Sequence, residues 1–255
     1  MPQQPVSVLM YHAIVDDGED AAGADLHYAV SRQTFGHHLE LARRAGLAVA
    51  SVRALLDSAG DNAVAFTFDD GHSSNAWAAE ALRAAGASAD FFVNSAHVGQ
   101  RGFLDWAALR DMAAAGMSIQ SHGHQHRYLD ELDPSGVEDE LRRSKQIIED
   151  GLGRPVTLFA PPGGRVAPGL VETARRLGYD AVCSSRVGVW RGLSLEVPRF
   201  AILRGTTAER TAGWMARRPR EVLASTLRYE LLRAGKGLLG NGAYDKLRAA
   251  LLARR

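Results

Sequence analysis

Cysteine is nearly absent from this 255-residue chain. Cys183 stands alone, so no disulfide can close within it, and a single thiol tolerates a reducing compartment. Its setting, "DAVCSS", reads as a small core residue rather than a nucleophile. No charge of one sign dominates: the formal net charge is +1, which gives no global case for nucleic acid. No window approaches the roughly 20 apolar residues of a membrane span. The opening "MPQQPVSVLMYHAI" has neither the basic region nor the apolar run of a secretory leader. The expected location is the cytoplasm or the inner face of a membrane, unless a leader has been removed. Histidine, finally, is missing from everything after His126.

What is present is an ordinary globular composition, 46% hydrophobic and 23% charged, enough for a sizeable core. Short apolar runs alternate with amphipathic stretches. Strands are expected over 6–14, 47–52, 63–70, 88–94, 117–122, 156–162, 180–185 and 195–202. Helices are expected over 31–46, 73–86, 104–116, 133–153 and 167–178, several closed by a glycine as a stop signal. This order predicts an α/β fold: an irregular (β/α) barrel of about seven parallel strands with outer helices, plus a helical C-terminal tail. The expected division is a catalytic barrel over 1–204 and a basic helical tail over 205–255. That tail, rich in arginine, packs on the barrel or offers a peripheral contact to an anionic membrane.

Parallel α/β folds bind ligands at the carboxyl ends of their strands. Those ends carry Tyr11 and His12, Asp69 and Asp70, Asn94, Ser121 and His122, the run Pro161 to Gly164, and Arg199. In "SHGHQHRYL", His122 and His126 are four apart, a spacing that converges two imidazoles on one borderline metal. A third ligand is needed, and Asp70 stands at another strand end. Asp69 beside it then suits a general base in metal-assisted hydrolysis. A bland reading exists for each: Asp-Asp-Gly is turn-like, and three close histidines can line a polar loop.

"TFDDG", the pair His122 and His126, and "FAPPGG" occur in the order found in the polysaccharide deacetylases, carbohydrate esterase family four. "YHAI" near the start is similar to the exopolysaccharide branch. The resemblance covers roughly residues 6 to 202. It implies a barrel fold, a divalent ion with zinc expected and other ions compatible, Asp69 as base, and Asp70, His122 and His126 as metal ligands. It also implies an N-acetylated polysaccharide or oligosaccharide substrate; no nucleic-acid partner is expected at a net charge of +1. The third motif departs from the family pattern of arginine, any residue or proline, proline, aromatic, glycine. Ala160 takes the arginine position and Gly163 the aromatic one. A backbone N–H near Gly163 still serves an oxyanion hole, while Arg165 or Arg199 is left to orient the base. The family's late histidine is missing, and His12 takes the place of the general acid by resemblance to the exopolysaccharide branch. Tyr11, His72 and Pro162 complete the candidates for substrate contact or orientation.

The function expected is metal-dependent removal of N-acetyl groups from N-acetylhexosamine units of a bacterial polysaccharide or its precursor. The rivals are a deacylase or amidase on a non-carbohydrate or lipid-linked sugar substrate, and a non-catalytic sugar-binding homologue.

Overall fold

The computed structural model describes residues 4–57, 62–192 and 194–233. Nine strands are present among them: β1 (Ser7–Tyr11), β2 (Ala48–Ala50), β3 (Ala63–Phe68), β4 (Asp90–Val93), β5 (Ser118–Ser121), β6 (Leu158–Phe159), β7 (Ala181–Cys183), β8 (Glu196–Val197) and β9 (Phe200–Ala201). Between and after them run α1 (Arg32–Arg44), α2 (Val52–Asp57), α3 (Asn75–Ala84), α4 (Trp106–Ala114), α5 (Pro134–Leu152), α6 (Leu170–Arg176) and α7 (Ala208–Met215). A further helix, α8, covers 219–233. Each expected strand is found, and the last is divided into β8 and β9 by Pro198 and Arg199. Proline has no N–H to give a ladder.

The sheet order is β8-β7-β6-β5-β4-β3-β1-β9, with β2 also on β3. All strand pairings are parallel. The short segment that holds both β8 and β9 therefore pairs with β7 at its start and with β1 at its end. One stretch of chain joins the two edges of the sheet, which curls it into an irregular barrel.

Side chains alternate across this wall with the strand period of two. One set packs outward beneath the helices, including Leu9, Tyr11, Phe66, Phe68, Phe91 and Ile119. The other faces inward, with Val8, Ala65, Phe92, Leu158, Ala181 and Cys183 in a separate apolar cluster. Cys183 is buried there, and burial pushes its thiol well up from the ordinary range. It is a core residue, as its sequence setting suggests. Val52 and Leu55 of α2 join the same inner cluster, so α2 stoppers the end of the barrel where strands begin. This six-residue helix is too short to show a helical period in sequence.

Caps fix the outer helices. Ser31, Asp105 and Asp133 each accept from a backbone N–H of the first turn, which satisfies donors the helix itself leaves open. Trp214 of α7 stacks on Phe200 of β9 at 5.0 Å, and Ser7 donates to the Trp214 carbonyl, so α7 is fastened to the barrel. The part of the expected helical tail beyond residue 233 lies outside the described residues.

Candidate metal centre and active site

Period-two alternation carries inward-facing positions up each strand to the carboxyl ends. On β3 it runs Ala63, Ala65, Thr67, Asp69; on β4, Asp90, Phe92, Asn94; on β5, Ser118, Gln120, His122. Three strands thus deliver polar groups to the same mouth.

Asp70 Oδ1 lies 3.2 Å from His122 Nε2 and 3.2 Å from His126 Nε2. Asp70, His122 and His126 each offer a ligand atom within 4.8 Å of the others. Asp70 Oδ1 is buried yet makes no hydrogen bond, the arrangement of atoms that share a cation rather than a proton. The donor set, two imidazole nitrogens and a carboxylate oxygen, suits zinc and similar ions. His122 Nδ1 meets the Ala160 carbonyl at 2.8 Å, which assigns the proton to Nδ1 and leaves the Nε2 lone pair for a metal. The residues present therefore fit a divalent ion.

The backbone around this cluster is held in uncommon conformations. Among the described residues four non-glycines have positive φ, and two of them are Asp70 (φ 73) and His126 (φ 57). Such residues cost on the order of 1–3 kcal/mol each and concentrate at functional sites. Gly71 follows with φ 72, and a Cβ there would come 2.9 Å from Val93. The glycine after the two aspartates lets β3 turn away tightly against β4.

Asp69 is gripped from the segment that closes the barrel. Arg199 Nη1 donates to Oδ1 at 2.7 Å and Nη2 to Oδ2 at 2.8 Å, a bidentate pair. Arg199 is fully buried, and its other donors reach the Ser184 carbonyl and Thr67 Oγ1. Burial works against the Asp69 charge, but Arg199 and His122 outweigh it and hold the carboxyl below its usual range. For His122 burial is likewise outweighed, here by Asp69 and Asp70, and its pKa is raised.

His12 ends β1. Its carbonyl accepts from Asn75 Nδ2, its ring packs on Tyr28 at 4.4 Å, and its Nδ1 is buried without a partner. Burial lowers its pKa, and Asp70 and Asp69 oppose that only in part.

Other candidates land elsewhere. Tyr11 is not a pocket residue: one step from His12 on a strand, it points to the outer face, stacked with Phe68 and bonded through its hydroxyl to His38 Nδ1. Only its carbonyl serves the site, accepting from the Asp69 N–H. His72 is buried and tied to Ser74 and the Ala22 carbonyl, so it fastens a loop rather than lining the mouth. Arg165 does not reach Asp69; it stacks on Tyr128 and lies 3.5 Å from Asp130 and Glu131. Pro162 is buried against the Gly123 turn. Gly163 has φ 64, open to glycine at little cost.

Glu140 escaped the sequence reading. It is 5% exposed on α5, and its Oε2 accepts the N–H groups of His124 and Gln125 at 2.8 and 2.9 Å. It pins the loop between His122 and His126. His124 itself turns to Ser95, 2.8 Å from its Oγ, and takes no place in the cluster. The available signal was a glutamate in the buried stripe Val137, Glu140, Leu141, Ser144, Ile148.

These features define an α/β barrel with a metal-type donor set and an arginine-held carboxylate at its strand ends. Residues 57–182 match the family model "Polysaccharide deacetylase", so just under half of the chain is similar to that family. It is 27% identical over 188 residues to YxkH of Bacillus subtilis (strain 168), covering 71% of this chain and 64% of that protein. It is 29% identical over 121 residues to the peptidoglycan-N-acetylglucosamine deacetylase of Bacillus cereus, covering 47% of this chain and 54% of the relative. The chain thus spans less than two thirds of either curated relative. Among solved structures, the Streptococcus pyogenes deacetylase PplD in complex with acetate superposes with a TM-score of 0.74 at 25% identity, covering 84% of this chain and 99% of that one.

Proposed function

We propose that the protein is a metal-dependent hydrolase that removes N-acetyl groups from N-acetylhexosamine units of a bacterial polysaccharide or its precursor. The observation that carries this reading is the contrast between two adjacent aspartates. Asp70 shares its oxygen with two imidazoles, while Asp69 is held by arginine and kept out of the cluster.

Asp70, His122 and His126 would hold the ion. Bound there, a divalent cation supplies Lewis-acid polarisation and eases deprotonation of water. Asp69 accepts the proton of the water that attacks the acetyl carbon. Its two bonds to Arg199 use only two of about four lone-pair positions on the carboxylate. The backbone N–H near Gly163 is assigned to the developing oxyanion, a role that tolerates the missing aromatic side chain. His12 delivers a proton to the departing nitrogen as the C–N bond breaks, releasing acetate and a free amine. The unpartnered Nδ1 and the Asn75 and Tyr28 supports favour His12 for that task.

Acetate release from N-acetylglucosamine oligomers by zinc-loaded protein tests the activity. Asp69→Asn is expected to retain the ion and lose about 10²–10⁴-fold in turnover, the range for a general base; undiminished turnover in metal-loaded mutant overturns the role. His126→Ala is expected to lose the ion, and a full equivalent after desalting refutes the ligand assignment.

Work at the inner face of a membrane belongs to the same proposal. Leu223, Leu227 and Leu231 recur every fourth residue on α8 and are 60%, 55% and 74% exposed, with Arg220 and Arg228 among them. Sedimentation of the protein with anionic but not zwitterionic vesicles is the expected result.

A further inference from the structure

At the end of the barrel where the strands begin, away from the Asp70, His122 and His126 cluster, the surface is hollowed. The backbones of Val6 and Trp190 bond to each other in both directions, which lays Val189 and Arg191 beside Pro5, just before β1. The first turn of α8 closes the other side with Val222 and Leu223. The groove so formed encloses about 420 Å³, inside the range of about 300–1,000 Å³ usual for small-molecule sites. Arg191 and Arg217 supply its charge, and no carboxylate lines it among the described residues.

Elsewhere on the surface arginines are neutralised locally. Arg32, Arg43, Arg83, Arg175 and Arg176 each come within 3.0 Å of a carboxylate oxygen. Arg191, Arg217, Arg218 and Arg220 make no ion pair among the described residues. Arg217 is also held under strain. It ends α7, its N–H on the Trp214 carbonyl and that of Arg218 on the Gly213 carbonyl. Its φ is 53, a left-handed conformation that glycine takes most readily at a helix end. A strained non-glycine there points to a use for its side chain. The guanidinium reaches the Ala63 carbonyl at 3.4 Å, a long bond that leaves most of its five donors open. The apolar part of the surface is concentrated in the same place. Of the seven large apolar side chains exposed among the described residues, four are Leu223, Leu227, Leu231 and Leu232 of α8. Leu223 belongs to both groove and helix face, so the two are continuous. Unpaired guanidiniums beside an apolar channel complement a molecule with a phosphate and a hydrocarbon chain.

We infer that the groove holds one anionic phospholipid, its phosphate on Arg191 and Arg217 and an acyl chain along Val189, Val222 and Leu223. This rests on the membrane reading above and gives it a direction: the end of the barrel where strands begin meets the bilayer, and the Asp70, His122 and His126 cluster faces away from it.

Two measurements separate the groove from that reading. In the first, dihexanoyl phosphatidylglycerol, kept below its micelle concentration, is titrated calorimetrically into the full chain, with dihexanoyl phosphatidylcholine and inorganic phosphate as comparisons. The phosphatidylglycerol is expected to bind. Arg191→Gln with Arg217→Gly is expected to weaken it about thirtyfold, the loss of two arginine contacts to an anionic lipid. Arg217→Gly removes the guanidinium while relieving the backbone, so its melting temperature does not fall. Leu223→Ser, at an exposed position, is expected to weaken binding about tenfold. Arg175→Gln with Arg176→Gln, the same change of charge on α6, keeps wild-type affinity. Absence of binding, equal binding of phosphatidylcholine or inorganic phosphate, or an equal loss in the α6 variant overturns the site.

In the second, the same proteins are sedimented with phosphatidylglycerol vesicles. Loss of sedimentation in the groove variant but not the α6 variant supports the site. Sedimentation that the groove variant retains in full overturns the site and leaves the membrane reading standing. Binding of the monomeric lipid without sedimentation of wild type supports the site and sinks the membrane reading alone.

Discussion

Asp69 and Asp90 are both buried inside the same barrel, on adjacent strands, and their carboxyls are driven in opposite directions. Asp69 stands at the carboxyl end of β3 and is held below the ordinary range, Arg199 and His122 overcoming burial. Asp90 begins β4, where burial raises its pKa to about 6. Register pairs Asp90 with Thr67, two residues before Asp69. The difference is the partner. Asp69 has a bidentate guanidinium; Asp90 has the backbone N–H groups of Val52 and Arg53 at the start of α2. One end of the barrel holds its carboxyl as a charge against an arginine, and the other uses a carboxyl to seat a stopper.

The largest break in this contrast comes from removing the arginine. Arg199→Met leaves Asp69 buried and unpaired, which places it in the situation of Asp90 without the N–H donors. Loss of one partner from a buried pair typically destabilises by about 3–5 kcal/mol. Because the folded pKa of Asp69 is depressed, its pairing stabilises above the unfolded pKa of about 3.9 and is lost as pH falls through the folded value. The variant is therefore expected to be much less stable than wild type at pH 7, with the gap closing toward pH 3 in denaturant titrations. The acid limb of kcat/KM is expected to move to higher pH. A gap of equal size at both pH values counts against the pair as its source.

Glu140 gives the next effect. Like Asp90 it is a buried carboxyl that accepts from two backbone N–H groups, but it sits at the end of the barrel where the strands finish. Partners that orient ligands commonly carry 10–100-fold in metal affinity, about 1.4–2.7 kcal/mol. Glu140→Ala is expected to lose that much in a competitive zinc titration. Glu140→Gln, which keeps an acceptor oxygen, is expected to recover most of it. If Glu140→Ala binds zinc as wild type does, the loop between His122 and His126 is held by other means.

The sequence revealed those parts of the site that are made of side chains in short spacing. Asp69, Asp70, His122 and His126 lie in two compact motifs, and the stretch matched by the family model, 57–182, contains all four. His12 and Arg199 lie outside that stretch, on the strands flanking the closure of the barrel. Arg199 was one of two arginines the sequence left in play. Only the closing segment, with β8 on β7 and β9 on β1, sends it across to Asp69. Tyr11 was misplaced because a strand end was read without its period: His12 faces in, so Tyr11 faces out. Contributions of the backbone were hardest to read. The carbonyl of Ala160 orients His122 as any residue's would, so the altered third motif looked like a loss. Glu140 left a weak sign, a charge on an apolar stripe. The strands themselves were legible because nearly every one is a continuous apolar run, as buried parallel strands are.

The smallest effect sharpens the comparison from the Asp90 side. Its folded pKa of about 6 exceeds the unfolded value of about 3.9. Between those values the native state holds a proton that the unfolded chain has released, so its stability falls as pH rises through the window. From pH 5 to pH 7 the loss attributable to this group is about 1 kcal/mol. Asp90→Asn cannot ionise, and its amide oxygen can still accept from the start of α2. The variant is expected to drop this slope, gaining about 1 kcal/mol on wild type between the two pH values while acetate release stays unchanged. A slope that survives the substitution places the raised pKa on another group. A slope that vanishes together with activity joins the two ends of the barrel more tightly than their separate partners imply.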